Sequence, residues 1–214
     1  MVSNNPNTTP PARKQRPMWP LYLIVLVCFA PVVFALLAYY VPSLGLRPQE
    51  MTNYGTLVEP QRPMPEASAL PLTTRDGKPF DLSSLKGQWL LVTADSGACD
   101  EACVKKLFIL RNSHASQGKN VERLARVWFL TDDEPIPEQI LEAYRGYNML
   151  RADPEQLAAF LAPKAGPAER QAALTAPMWV IDPLGNLMME FPADADPISV
   201  RDDIRKLLKA SRIG

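Results

Sequence analysis

The stretch QWLLVTADSGACDEAC, residues 88–103, joins a short apolar run to two closely spaced cysteines. The run over residues 88–94 has the length and composition of a buried β-strand. Residues 104–117 carry apolar side chains at helical spacing, which predicts an amphipathic helix. The cysteines therefore lie at a strand-to-helix junction, where free backbone N–H groups of a first helical turn stabilise a thiolate.

Cys99 and Cys103 are four residues apart. On a helix this spacing places both on one face, with Cβ atoms about 5–6 Å apart. A modest adjustment then brings the two sulfurs within disulfide range. The same pair of thiolates can clamp Cu(I), and a structural disulfide that braces the helix start is a third reading. The spacing alone does not distinguish a redox-active dithiol, a copper-binding site and a structural disulfide.

Charged residues surround the second half of this motif. Asp100 and Glu101 suit a helix N-terminus, but their negative charge disfavours neighbouring thiolates. Lys105 and Lys106, one turn further on, offset this effect in part. The charges therefore favour a slow thiol exchanger or a metal clamp over a fast oxidant.

The remaining patterns indicate a mixed α/β order. A hairpin is predicted around Asp76-Gly77, a second buried strand over residues 125–131, and a late hairpin over residues 178–191. Helices are predicted over residues 137–144, 154–161 and 197–210, and a short edge segment over residues 147–151. This order predicts a central sheet with helices on both faces.

An uncharged apolar run over residues 21–41 is long enough to cross a hydrocarbon core of about 30 Å. Arg13, Lys14 and Arg16 precede it, so the positive-inside rule predicts a cytoplasmic N-terminus and an exported remainder. The alternative is a cleaved signal peptide, which has a shorter apolar region and a small-x-small site. The sequence after the run, Tyr-Tyr-Val-Pro at 39–42, is a poor cleavage site. We therefore expect an uncleaved, single-pass anchor in a bacterial-type inner membrane.

The chain is expected to have four parts. Residues 1–20 form a cytoplasmic tail, residues 21–41 the transmembrane anchor, residues 42–69 a proline-rich extended stalk, and residues 70–214 the periplasmic domain. The stalk is inferred from its prolines and from the absence of a sustained hydropathy period.

Composition excludes several classes of function. The formal net charge is zero, and neither a basic patch nor an aromatic-basic stripe suggests nucleic-acid binding. Three cysteines are too few for a disulfide framework. Cys28, inside the apolar run, is interpreted as a small apolar residue. The single histidine, His114, argues against most zinc sites.

Several of these features together resemble the SCO/SenC family. The resemblance is carried by Gly87 and the strand after it, the Cys-x3-Cys motif, the strand ending in acids at 127–132, and the stretch WVIDPLGNL at 179–187. It covers the chain from about residue 70 to the C-terminus, and the anchor topology agrees. Members of this family are membrane-anchored thioredoxin-fold proteins that help to assemble the copper site of cytochrome c oxidase.

The resemblance implies an α/β, thioredoxin-like fold for the exported domain, with Cys99 and Cys103 as its reactive pair. It also implies three kinds of partner: the inner membrane, a copper-site subunit of cytochrome c oxidase, and other assembly factors. Copper becomes a candidate cofactor. Ala176-Pro177, just before the late hairpin, resembles the cis-proline loop that faces the dithiol in thioredoxin folds; the alternative is an ordinary trans proline at the entry of a strand.

The chain departs from the family at two positions. By register, the family's copper histidine falls near Leu174, and no histidine occurs there or downstream. The family's proline after the second cysteine is replaced by Val104. His114 lies eleven residues after Cys103, about 16 Å further along a helix axis, and cannot substitute.

We therefore expect Cu(I) to bind at most moderately through Cys99 and Cys103, with Met178 as a possible third sulfur, and no stable Cu(II) site. Met188 and Met189 also lie in the late hairpin, where methionine is more often core filler.

Three functions remain open from the sequence. The first is an assembly factor for cytochrome c oxidase that acts through the dithiol on a partner's copper-site cysteines. The second is a general thiol–disulfide oxidoreductase, an enzyme proper. The third is a non-catalytic interaction module. The missing histidine favours the second over the first, whereas the acids beside Cys99 argue against a fast oxidoreductase.

Overall fold

One mixed β-sheet organises the part of the chain after residue 52. The computed structural model describes residues 18–41 and 53–213. Within these ranges the sheet has eight strands: β1 Thr56–Pro63, β2 Leu72–Thr74, β3 Pro79–Phe80, β4 Trp89–Asp95, β5 Leu124–Leu130, β6 Asn148–Ala152, β7 Met178–Ile181 and β8 Asn186–Phe191. Their spatial order is β1-β8-β7-β4-β5-β6-β2-β3.

Six α-helices lie in the described ranges: α1 Trp19–Tyr40, α2 Glu101–Ala115, α3 Glu138–Ala143, α4 Pro154–Leu161, α5 Arg170–Thr175 and α6 Pro197–Ala210. Aspartates begin three of them. The side chains of Asp100, Asp153 and Asp196 accept backbone N–H groups in the first turns of α2, α4 and α6. Such caps satisfy donors that a helix N-terminus leaves unpaired.

Helix α1 is a unit of its own. Its length and apolar composition are sufficient to cross a membrane. Pro31 lies inside the helix, as transmembrane helices tolerate. The predicted apolar helix is confirmed, with bounds that begin two residues earlier than expected.

The centre of the sheet is parallel. β4 pairs in parallel with β5, and β5 pairs in parallel with β6. The carboxyl ends of these strands therefore lie at one edge, which we call the carboxyl edge. β7 pairs antiparallel with the other side of β4, and Met178 at its start is opposite Thr93. The segments after β4 and β5 and before β7 thus meet at the carboxyl edge.

Each face of the sheet is covered by helices, as predicted. Leu91 of β4 belongs to a buried cluster that includes Leu107 of α2 and Ile204 of α6. Both site cysteines belong to the same cluster, so we call this the cysteine face. Leu90 and Val92 point to the opposite face, which α4 and α5 cover. The alternation follows from the two-residue period of a strand.

Strand β1 corrects the expectation of a stalk through residue 69. Thr56 and Leu57 pair with β8, opposite Glu190 and Met189. The buried carboxylate of Asp203 on α6 accepts the backbone N–H groups of Tyr54 and Gly55 at 2.6 and 2.9 Å. The compact domain therefore begins well before residue 70. Its prolines do not prevent this, because proline is tolerated in a strand at the edge of a sheet. Residues 42–52 of the expected stalk lie outside the described ranges.

Other sequence predictions are confirmed, with two differences. The hairpin at Asp76-Gly77, the hairpin over 178–191, and the helices at 154–161 and 197–210 are present. The expected edge segment is instead the interior strand β6, which pairs with both β5 and β2. Helix α5 was not predicted, because its short, alanine-rich sequence has little periodicity.

Candidate functional site

Cys99 and Cys103 form a disulfide at the carboxyl edge, with a Cα–Cα distance of 5.1 Å. The two sulfur-bearing residues differ in exposure: Cys99 is 7% exposed and Cys103 is 0% exposed. Both residues are therefore buried, and Cys99 is the one nearer to solvent.

The spacing predicted that both cysteines lie on one helix face. In the structure, Cys99 instead precedes the helix and Cys103 lies in its first turn. Cys99 precedes the helix and has a left-handed backbone, with φ at 45°. Asp100 is the N-cap of α2, and its side chain accepts the N–H of Cys103 at 2.9 Å. Because this cap fixes where the helix begins, Cys99 is left in the turn outside it. A non-glycine residue in this backbone region is uncommon and typical of tight functional turns.

Asp132, in the segment after β5, is bonded to the turn that carries Cys99. Its Oδ1 accepts the N–H of Gly97 at 2.8 Å and the N–H of Glu134 at 3.2 Å. Burial raises the pKa of Asp132, but hydrogen bonds from Ser96, Gly97 and Glu134 and the charge of Arg151 outweigh it and lower that pKa below its ordinary value. Asp132 is therefore an ionised acceptor at neutral pH.

Lys106 and Asp95 form a buried ion pair on the cysteine face. The Nζ of Lys106 lies 2.7 Å from Oδ2 of Asp95, and it also donates to the carbonyls of Ala94 and Thr175. Lys106 had been expected, together with Lys105, to offset the acids beside the cysteines in part. Lys106 instead pairs with Asp95, and exposed Lys105 is the base that offsets the acids beside the cysteines.

The exposed surface around Cys99 is acidic. Asp100, Glu101, Asp133 and Glu134 are all exposed, and Asp133 pairs with Arg151. Negative charge near a thiol disfavours its thiolate.

The Ala176–Pro177 bond is trans, which corrects the expected cis-proline loop. Within residues 18–41 and 53–213 the one cis peptide bond is Glu59–Pro60. Ala176 keeps helical backbone angles as the C-cap of α5, and Pro177 leads directly from it into β7. Buried Met178 follows and belongs to the cysteine-face cluster, so its sulfur lies in the same core as the dithiol.

The imidazole that the family places near the cysteines has no counterpart in this fold. Leu174, the position expected by register, is buried on the opposite face of the sheet from the cysteines. His114 is in the last turn of α2, where its side chain is bonded to the backbone of Val121 and Leu124. Over the described residues, no group of three His, Cys, Asp or Glu side chains could hold a metal ion. The two cysteine thiolates suit Cu(I).

Sequence reasoning missed three contributors to this site. Asp132 appeared only as an acid at a strand end, Gly97 only as part of the cysteine motif, and Lys106 only as a base that offsets the neighbouring acids. The parallel pairing of β4 and β5 is what brings Asp132 beside Gly97. The sequence did hold one signal: Asp95 ends β4 and Asp132 closely follows β5. Parallel strands finish at the same edge of a sheet, so these two aspartates could have been expected there.

A family model described as a transmembrane-like, thioredoxin-like, C-terminal domain matches residues 89–211. No curated protein is significantly similar in sequence. Solved structures do resemble the chain, among them apo Sco1 from Thermus thermophilus, with 20% identity, a TM-score of 0.52, and coverage of 76% of this chain and 98% of that one.

A SCO1/SenC family lipoprotein from Bacillus anthracis has 18% identity and a TM-score of 0.52, and the match covers 71% of this chain and 97% of that one. Yeast Sco1 with copper bound has 15% identity and a TM-score of 0.50, with coverage of 72% and 96%. At these identities the likeness establishes the fold. The predicted thioredoxin-like α/β class and the SCO/SenC resemblance are confirmed at that level.

Proposed function

The chain belongs to the family described as transmembrane-like, thioredoxin-like, C-terminal domains, and on that basis we propose that it is a membrane-anchored thiol–disulfide exchange protein. Its substrate is the copper-site cysteine pair of a partner protein, and the process it serves is cytochrome c oxidase biogenesis. The observation that carries the proposal is the Cys99–Cys103 disulfide at the carboxyl edge of the sheet, in which Cys99 is 7% exposed and Cys103 is 0% exposed.

The slightly greater exposure of Cys99 supports its role as the attacking cysteine. In the reduced protein, the thiolate of Cys99 attacks a disulfide of the partner, forms a mixed disulfide and releases one partner thiolate. The thiolate of Cys103 then attacks the sulfur of Cys99 and releases the second partner thiol. The Cys99–Cys103 disulfide forms, and the partner disulfide gains two electrons and two protons.

The surrounding acids favour this direction. Asp100 and Glu101 beside the pair disfavour thiolates and so favour the disulfide form of the pair. A dithiol with a stable disulfide is a reductant towards its partner. Reduction leaves the partner's copper-site cysteines as thiols, the form that takes up copper.

Copper enters this proposal as cargo. The reduced pair supplies two thiolates for Cu(I), and Met178, in the same buried cluster, supplies a third soft donor. The likeness in fold to the copper-bound yeast Sco1 supports this use. We propose no Cu(II) site.

Helix α1 and the basic residues before it support a proposed location. We propose that α1 anchors the chain in an inner membrane, with Arg13, Lys14 and Arg16 on the cytoplasmic side and the thioredoxin-like domain in the periplasm. A reporter that is active only in the periplasm, fused after Gly214, is then active. A silent periplasmic fusion together with an active cytoplasmic one would reverse the orientation.

Covalent trapping tests the exchange itself. Cys103→Ser leaves the attacking sulfur and removes the resolving one, so a mixed disulfide with an oxidised copper-site subunit should accumulate. Cys99→Ser is the matched control, because its remaining sulfur is buried, and it should trap little. The complexes are read by non-reducing electrophoresis and mass spectrometry of the full-length protein in detergent. Equal trapping by both variants, or none by either, contradicts the assigned roles.

Partner range separates the two exchange functions. Absence of the copper histidine favours a general thiol–disulfide oxidoreductase as the second candidate. In cells, that function predicts that Cys103→Ser traps many unrelated exported proteins. The proposed function predicts predominantly an oxidase copper-site subunit or its assembly factors.

A further inference from the structure

Two loops meet beside Cys99. The first, residues 96–98, leads from β4 to Cys99; the second, residues 131–137, follows β5 at the same edge of the sheet. The carboxylate of Asp132 lies between them, since it accepts one N–H from Gly97 in the first loop and one from Glu134 in its own. The hydroxyl of Ser96 is a third donor to the same carboxylate.

The two loops are also in steric contact. A Cβ atom placed on Gly97 would lie 2.1 Å from the carbonyl oxygen of Glu134. That oxygen belongs to the backbone, so relief would require one loop to move. Glycine at 97 therefore permits the close approach that places its N–H against Asp132.

The second loop is held in turn by β6. Arg151 donates to the backbone carbonyl of Asp132 at 3.2 Å and forms an ion pair with exposed Asp133. A chain of contacts thus runs from the sheet through Asp132 to the turn that carries Cys99. The other hydrogen bonds of the turn are local. The N–H of Ser96 donates to Oδ1 of Asp95 at 3.0 Å, that of Ala98 to the hydroxyl of Ser96 at 3.1 Å, and that of Cys99 to the carbonyl of Ser96 at 3.2 Å.

We propose that Asp132 is a positioning residue for the dithiol, which fastens the turn before Cys99 so that its sulfur is held beside that of Cys103. This inference rests on the proposed exchange at the cysteine pair. Two thiols held in one geometry close to a disulfide more readily than two that are free to separate, because less conformational freedom is lost on bond formation. The negative charge of Asp132 acts in the same direction, since it disfavours the thiolates of the reduced form.

Both effects predict that removal of Asp132 makes the disulfide easier to reduce. Asp132→Ala should lower the equilibrium constant for disulfide formation in a glutathione buffer about five- to tenfold, less than a whole charge-assisted hydrogen bond contributes, because only part of that interaction differs between the oxidised and reduced forms. Asp132→Asn keeps an oxygen acceptor and should give a smaller change. Asp133→Asn is the matched control: it removes the adjacent charge from a side chain that is 96% exposed, and should change the constant less than about twofold.

The measurements are the glutathione equilibrium of the full-length protein in detergent and hydrogen exchange of the Gly97 amide in its oxidised form. Asp132→Ala should accelerate that exchange at least about tenfold, and Asp133→Asn should leave it unchanged. Equal constants for wild type and both Asp132 variants would overturn the inference. The inference is also overturned if Asp132→Asn lowers the equilibrium constant as much as Asp132→Ala while the Gly97 amide stays protected. Charge alone would then be the cause.

The proposed function and this inference fail separately. A wild-type disulfide that does not exchange with glutathione contradicts the proposed function. In that case Gly97 exchange still decides whether Asp132 fastens the turn. If Asp132→Ala does not fold, Asp132→Asn carries the same comparison.

Discussion

Lys106 and Asp95 are joined by an ion pair that is almost wholly removed from solvent, with side chains 3% and 10% exposed and a Nζ–Oδ2 distance of 2.7 Å. Asp95 ends β4, and Lys106 lies one turn after Cys103 in α2. Because Lys106 also donates to the carbonyl of Thr175, a single ammonium group connects the strand before the dithiol, the helix after it and the segment that leads to β7.

Loss of the lysine should be costly. Lys106→Met leaves the Asp95 carboxylate buried without its partner, and we expect a destabilisation of about 3–5 kcal/mol. Lys105→Met is the matched control on the exposed side of the same helix, with an expected change within about 0.5 kcal/mol. Urea unfolding of the detergent-solubilised protein, followed by tryptophan fluorescence, measures both. Similar midpoints for the two variants would show that the pair contributes little. Asp95→Asn combined with Lys106→Met should recover part of the loss, since no charge is then left buried.

Gly97 gives a steric test of the loop contact. Gly97→Ala places a methyl group against the Glu134 carbonyl, at 2.1 Å before any relaxation. We expect a destabilisation of about 1–3 kcal/mol and faster amide exchange at Gly97 and Glu134. Gly166→Ala is the control, because its added Cβ meets nothing within 4 Å. If Gly97→Ala unfolds at the same urea concentration as Gly166→Ala, the two loops do not pack as described.

Leu174 tests the correction to the family register. Its side chain is fully buried on the opposite face from the cysteines. Leu174→His therefore places a polar ring in an apolar core, and should destabilise the domain by about 2–5 kcal/mol without creating a Cu(II) site. Cu(II) titration with the thiols protected from oxidation, read by optical and EPR spectroscopy, is the measurement, and Leu174→Ala is the control for the lost packing. A stoichiometric thiolate-to-Cu(II) charge-transfer band only in Leu174→His would restore the register inferred from sequence.

Features that depend on interactions between residues close in sequence were predicted, and features that depend on contacts between distant segments were not. β4, the cysteine junction and α6 were predicted because each depends on local periodicity. The roles of Lys106 and Asp132 were missed, because they depend on which strands pair. β1 was read as a stalk, since its prolines are typical of linkers and its partner β8 lies about 130 residues away in sequence. Leu174 was misplaced because counting back from β7 could not foresee that α5 turns it to the opposite face.

His114 predicts a pH dependence that is separate from that of the carboxylates. Burial, and then the charge of Arg126, lower the pKa of His114 below its ordinary value. The folded domain therefore favours the neutral imidazole, and the unfolded chain binds more protons as the pH falls below about 6.5. The resulting stability is fully present above that pH and is lost as the pH falls towards the folded pKa.

Asp132 has a lowered pKa as well, but its contribution disappears only below about pH 4, where the unfolded carboxyl becomes protonated. Urea midpoints between pH 7.5 and pH 5 should consequently fall in the wild type and fall less in His114→Gln. The sequence contains no other histidine, so one substitution isolates the effect. Asp132→Asn is the contrasting variant, since it should keep the slope between pH 7.5 and pH 5. An unchanged slope in His114→Gln would mean that the imidazole ionises as readily in the folded domain as in the unfolded chain.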